Sequence, residues 1–129
     1  MRGLLLDTTV LIDALRGRAA ADRLGALARE EPPYVCAVNV EELWRGARPT
    51  DETAIRRLLR GLRIVALGQD EGERAGRWRR EFAAKGVTLS QADCLVAAAA
   101  VAVGARLATG NPKDFPMADL AVEHWPSGG

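Results

Sequence analysis

The chain has 129 residues, 48% of them hydrophobic, and its 18 Lys and Arg against 17 Asp and Glu leave a net charge of +1. That length suits one domain with a real core, and so even a balance excludes a protein that meets nucleic acid or membrane through a strong overall field. Any contact with a polyanion must be local, and the cations available for it are nearly all arginines, the exceptions being Lys85 and Lys113.

The first stretch, Leu4-Leu5-Leu6-Asp7-Thr8-Thr9, is an apolar run that stops at a carboxylate and two hydroxyls. Such a run reads as a central parallel strand, covered by helices on both faces, which delivers an acid at its end. Thr8 or Thr9 is placed to cap a helix with Val10, Leu11, Ala14 and Leu15 on one face and Gly17 as its stop. A second helix follows over Ala19 to Ala28, closed by Glu30-Glu31-Pro32-Pro33. Tyr34 to Val38 then reads as a strand, and Asn39 as the cap of a helix that buries Val40, Leu43, Trp44 and Ala47. Glu41 and Glu42 lie off that stripe in the first turns.

Pro49-Thr50-Asp51 restarts a helix whose apolar face is Ile55, Leu58, Leu59 and Leu62. Arg63 to Leu67 is a third strand. Gln69 to Lys85 is a charged helix with a narrow buried face through Ala75, Trp78 and Phe82, ended by Gly86. Ser90 opens a helix that is apolar all round from Ala92 to Val103 apart from Asp93, so it is buried on several sides. Arg106 to Thr109 is the fourth strand and runs into Gly110-Asn111-Pro112-Lys113-Asp114-Phe115. A last strand, Leu120 to Trp125, belongs at the sheet margin. One domain over residues 1–125 with a disordered tail at 126–129 is expected.

Strands that feed directly into helices give an α/β fold with a mostly parallel sheet, whose ligands bind beyond the carboxyl ends of the strands. Asp7, one of Glu41 and Glu42, Asp93 and Asp114 all fall at that edge. Clustered carboxylates repel one another unless something neutralises them, and oxygen-only donors are what Mg²⁺ and Mn²⁺ select. Such ions activate water toward phosphodiesters. No histidine or cysteine joins the set, which argues against zinc; His124 falls in the last strand, and Cys36 and Cys94 read as buried reduced thiols of a cytoplasmic protein. No apolar run reaches membrane length.

Each acid also has a structural role open to it. Asn39-x-x-Glu42 and Ser90-x-x-Asp93 fit capping boxes, Asp7 can cap the first helix, and Asp114 can belong to a turn beside Pro112. Asp13, Asp22 and Asp70 read as ordinary helix-surface or turn acids, and Leu43, Trp44, Trp78 and Phe82 as core. What sets the four acids apart is their common edge. Arg16, Arg18, Arg45 and Arg48 lie in loops or helix ends from which a substrate phosphate could be held, and solvated surface charge is the alternative for each.

The segments Leu-Leu-Asp-Thr-Thr-Val-Leu-Ile (5–12), Val-Glu-Glu-Leu-Trp-Arg-Gly (40–46), Ala-Asp-Cys-Leu-Val-Ala-Ala-Ala (92–99) and Leu-Ala-Thr-Gly-Asn-Pro-Lys-Asp-Phe (107–115), in that order, resemble the PIN domain, specifically the VapC-type toxin ribonucleases. The resemblance implies a three-layer α/β/α fold with a parallel central sheet and Mg²⁺- or Mn²⁺-dependent endoribonuclease activity on an RNA substrate. It also implies homodimerisation and inhibition by a cognate, VapB-like antitoxin. It assigns Asp7, Glu42, Asp93 and Asp114 as the catalytic, metal-holding acids, with Thr8 and Asn111 in support. Gly110 and Pro112 depart mildly from the pattern around Asp114. Two other classes compete: a haloacid-dehalogenase-like phosphatase, which needs a second Asp where Thr9 stands, and a non-catalytic binding module that keeps the fold as a protein or RNA platform.

Overall fold

The computed structural model describes residues 3–27 and 31–128. Five strands, β1 (Leu4–Leu6), β2 (Tyr34–Cys36), β3 (Arg63–Val65), β4 (Arg106–Thr109) and β5 (Val122–His124), form one sheet in the order β3-β2-β1-β4-β5. Every pairing is parallel, with Leu5 opposite Tyr34 on one side and Leu107 on the other. The helices are α1 (Thr8–Leu15), α2 (Ala19–Leu27), α3 (Ala37–Arg45), α4 (Glu52–Arg60), α5 (Gln69–Ala83) and α6 (Gln91–Ala102), with short 3-10 turns at Pro49–Asp51 and Pro112–Asp114.

Alternation along β1 builds the three layers. Leu5 points into a core shared with α5 and α6, while Leu4 and Leu6 point into a second core under α1 to α4. Successive strand residues face opposite sides of the sheet, so an all-leucine strand is buried on both. Ala97 to Ala100 are all buried, and their small side chains let α6 lie close against both α5 and the sheet. The result is the α/β/α sandwich with a wholly parallel sheet. None of the described helices is long and apolar enough to cross a membrane.

Several boundaries differ from the sequence reading, each for a local reason. Asp7 itself occupies the cap position of α1, so neither threonine caps that helix and both hydroxyls are free for other partners. Asn39 is not a cap either. It is the third residue of α3, fully buried, and its Oδ1 accepts the Cys36 backbone N–H at 3.2 Å, so the chain turns helical three residues earlier than expected. β3 ends at Val65, and β5 is only three residues long. Ala28 and Glu30, expected at the end of α2, lie outside the described residues. Asp13 is buried rather than on the surface, because Arg18 folds back to it at 2.8 Å and the Gly128 N–H donates to it at 3.1 Å.

Candidate active site

The strand order turns at β1: β2 leaves on one side of it and β4 joins on the other. A crevice opens beyond the carboxyl ends of strands at such a switch point. Asp7 follows β1 there, with its N–H continuing the ladder to the Ala108 carbonyl at 2.9 Å. Thr109 ends β4 beside it, and its hydroxyl donates to Asp7 Oδ2 at 2.8 Å while accepting the Asn111 N–H at 3.0 Å. The Thr9 hydroxyl lies 3.4 Å from the same Oδ2 and accepts the Gly110 N–H at 2.9 Å. Two hydroxyls thus bind the first acid to the loop that carries Asp114.

Glu42 reaches the crevice from α3. Thr8 donates to Glu42 Oε1 at 2.7 Å and accepts from Asn39 Nδ2 at 3.1 Å. Asn39 in turn accepts from the Cys36 N–H and lies 3.3 Å from the Cys36 thiol. With Asn39 engaged inward, Glu42 is not the acid of a capping box, and Glu41 is exposed beside the cleft between α3 and α6. Ser90 does cap α6, accepting the Asp93 N–H at 3.0 Å. Capping through the Asp93 N–H fixes the first turn of that helix, and Ser90 is also a hydrogen-bond partner of the Asp93 carboxyl.

The four acids feel one another's charge through space. Burial raises the pKa of Asp93, its hydrogen bonding with Ser90 opposes this, and Asp114, Asp7 and Glu42 each push it up further through space. Asp7 is also raised, first by burial and then by Glu42, against the lowering effect of its bonds with Thr109, Thr8 and Thr9. Burial also pushes up the Cys36 thiol, with the charges of Asp7 and Glu42 adding to it, so this sulfur behind the acids stays protonated. Among the described residues no three His, Cys, Asp or Glu side chains are drawn together into a finished metal cage. The donor set nonetheless fits a hard divalent cation: four carboxylates of like charge, all oxygen, two of them penalised by burial and mutual repulsion that a cation would relieve.

Thr109 was read only as the end of a strand and Asn39 only as a helix cap, yet each supports one of the acids, Asp7 through Thr109 and Glu42 through Thr8. A hydroxyl at the end of the strand next to the acid-bearing strand was the available signal for Thr109. Asn39 sat within a recognised motif but was given the wrong job. Asn111 contributes its backbone N–H to Thr109, and its side chain is exposed. Asp114 is exposed in its 3-10 turn, the outermost of the four.

The fold and the acids at its switch point define the class: a PIN-like three-layer α/β/α domain. The chain belongs to the PIN domain family, with residues 4–120 matching. It is similar to Ribonuclease VapC10 of Mycobacterium tuberculosis, 33% identical over 115 residues that cover 88% of this chain and 86% of that protein. In structure it is similar to a toxin-antitoxin complex from Klebsiella pneumoniae, with TM-score 0.75, 28% identity, and coverage of 92% of this chain and 96% of the other. It also shares its fold with VapBC2 from Rickettsia felis bound to a promoter DNA fragment, with TM-score 0.84, 24% identity, and coverage of 95% and 98%.

Proposed function

We propose that the chain is an endoribonuclease dependent on Mg²⁺ or Mn²⁺ and acts in the cytoplasm as the toxin of a toxin–antitoxin pair. The observation that supports this reading best is that Asp7 and Glu42 are held side by side at the end of β1 by Thr109 and Thr8, at 2.8 and 2.7 Å, with the charges of Asp7, Glu42 and Asp114 all felt at the Asp93 carboxyl. Similarity to the VapC ribonuclease and to toxin–antitoxin complexes supports the choice of RNA and of a VapB-like partner.

In this reading Asp7 and Asp93 are the principal metal ligands, and Glu42 and Asp114 complete the shell directly or through water. When bound, the ion neutralises the acids, lowers the pKa of the attacking water and stabilises charge developing on the phosphate. The protein's own part is preorganisation. Thr109 and Thr9 hold one oxygen of Asp7, and the Asn39–Thr8 pair holds one oxygen of Glu42, so each acid keeps its other oxygen for the cation. The antitoxin would inhibit by placing a basic side chain among the acids, favoured by Coulombic complementarity. Half-buried Val38 and Leu95 flank a cavity of about 320 Å³ between α3 and α6, a surface suited to a second copy in a homodimer.

The test is cleavage of a mixed structured RNA pool by purified, antitoxin-free protein with Mg²⁺ or Mn²⁺, against EDTA and against Asp93→Asn shown to be folded. Cleavage that needs the ion and vanishes in the variant is expected. Folded protein that cuts no RNA with either ion would overturn the enzymatic reading in favour of a non-catalytic binding module.

A further inference from the structure

Arg16, Arg18, Arg45 and Arg48 all stand near the acids in the sequence, and their surroundings in the fold separate them. Arg18 is tied at 2.8 Å to the buried carboxylate of Asp13. Arg48 closes its own 3-10 turn, with its N–H at 2.9 Å and its guanidinium at 3.3 Å from Asp51 Oδ2. Arg45 is exposed in the last turn of α3 and does not line the groove beside the site. Arg16, just past the end of α1, is exposed and has no ion-pair partner among the described residues. It lines a groove of about 560 Å³ together with Glu42, the apolar Leu15, Leu43 and Ile55, and the mutually paired Arg48 and Asp51, which leaves Arg16 as the lining cation without an acid of its own among the described residues.

The groove is therefore continuous with the acid cluster at Glu42 and carries an uncommitted guanidinium farther along. Arg16 is eight residues beyond Thr8, about 12 Å along the helix axis at about 1.5 Å per residue, so its side chain, leaning back toward the acids, suits a phosphate next to the one under attack. We propose that this groove carries the RNA strand away from the acids and that Arg16 holds a phosphate flanking the one that is cut; the proposal rests on the ribonuclease reading. A planar guanidinium with a fork of donors suits a phosphate, and phosphate contacts fix the register of the strand without reading its sequence. The chain's net charge of +1 makes such a local contact count, since no general field replaces it.

The experiment measures binding of a fluorescein-labelled, unstructured single-stranded RNA by anisotropy, over a range of salt, to the full chain carrying Asp93→Asn so that nothing is cut. Adding Arg16→Ala weakens binding about three- to tenfold at about 0.1 M salt and reduces the steepness of log affinity against log salt by about 0.7, one phosphate contact. Arg57→Ala, on the exposed side of α4 and off the groove, changes neither. In the cleaving chain Arg16→Ala raises KM and leaves kcat within about twofold, and Arg16→Lys recovers part of the loss. If Arg16→Ala fails to fold, Arg16→Gln carries the same expectation. Should the parent bind and cut RNA while the Arg16 variants keep its affinity and salt dependence, the groove belongs to another occupant such as a protein partner, and the proposal is overturned with the ribonuclease reading intact. A parent that neither binds nor cuts RNA overturns both.

Discussion

Thr109→Val removes one oxygen from the centre of the site and keeps the shape of a β-branched strand residue. The lost hydroxyl is fully buried, donates to Asp7 Oδ2 at 2.8 Å and accepts the Asn111 N–H at 3.0 Å. A hydrogen bond to a charged group contributes about 1.5–3 kcal/mol, and leaving a part-buried N–H without an acceptor costs about 1 kcal/mol more. The remaining Thr9 contact with that oxygen, at 3.4 Å, is too long to compensate. A destabilisation of about 3 kcal/mol follows, which for a domain of this size lowers Tm by about 10 °C.

The pH dependence distinguishes this cause from a packing defect. The folded-state pKa of Asp7 is already raised above its unfolded value by burial, and the Thr109 bond is the strongest influence pulling it down. Removing that bond raises it further. The extra cost falls on the ionised carboxylate, so it is fully present above the variant's folded pKa and is lost as pH falls from there through the wild type's. Urea unfolding followed by the fluorescence of the three tryptophans, at neutral and at acidic pH, reads both quantities. A variant within about 0.5 kcal/mol of the wild type at neutral pH, or one equally weakened in acid, would refute the argument that the hydroxyl holds a charged Asp7.

Asp93→Asn stabilises the fold at neutral pH while abolishing cleavage, because the native carboxyl is raised by burial and by three neighbouring acids. Its half-exposed position limits the gain to under about 1 kcal/mol, and the gain disappears in acid, where the native group is already protonated; unchanged Tm at neutral pH would count against mutual repulsion in the site. Asn39→Ala strands the Cys36 N–H and removes the donor that orients Thr8, costing about 3 kcal/mol by denaturant unfolding. A loss below about 1 kcal/mol would mean that the Asn39 bonds contribute little.

Much of the architecture was legible because it depends on local pattern. An all-leucine run, a helix with no polar face and strands that pass straight into helices can be satisfied only by a sheet covered on both sides, and parallel strands carry their following residues to one edge. Asp7, Asp93 and Asp114 were proposed on the same ground, from position relative to strand ends and helix starts, and the elements that carry them stand where that reading put them. The proposed ion choice rests on residue types alone, since four carboxylates without histidine suit only a few ions.

Where the linear pattern had two solutions, tertiary contacts chose between them. Asn39 has the composition of a helix cap, and only the approach of Thr8 from α1 and the turn at Cys36 made it a buried bridge that leaves Glu42 to the site. Asp13 reads as a surface acid by its spacing, yet Arg18 and the Gly128 backbone fold over it. Thr109 could not be paired with Asp7 from a distance of 102 residues, because that bond exists only once β1 and β4 are neighbours. Local periodicity determines which residues form strands and helices and which of their ends share an edge. Hydrogen-bond partners at that edge depend on strand order and register, which arise from burying two cores at once and are written in no single segment.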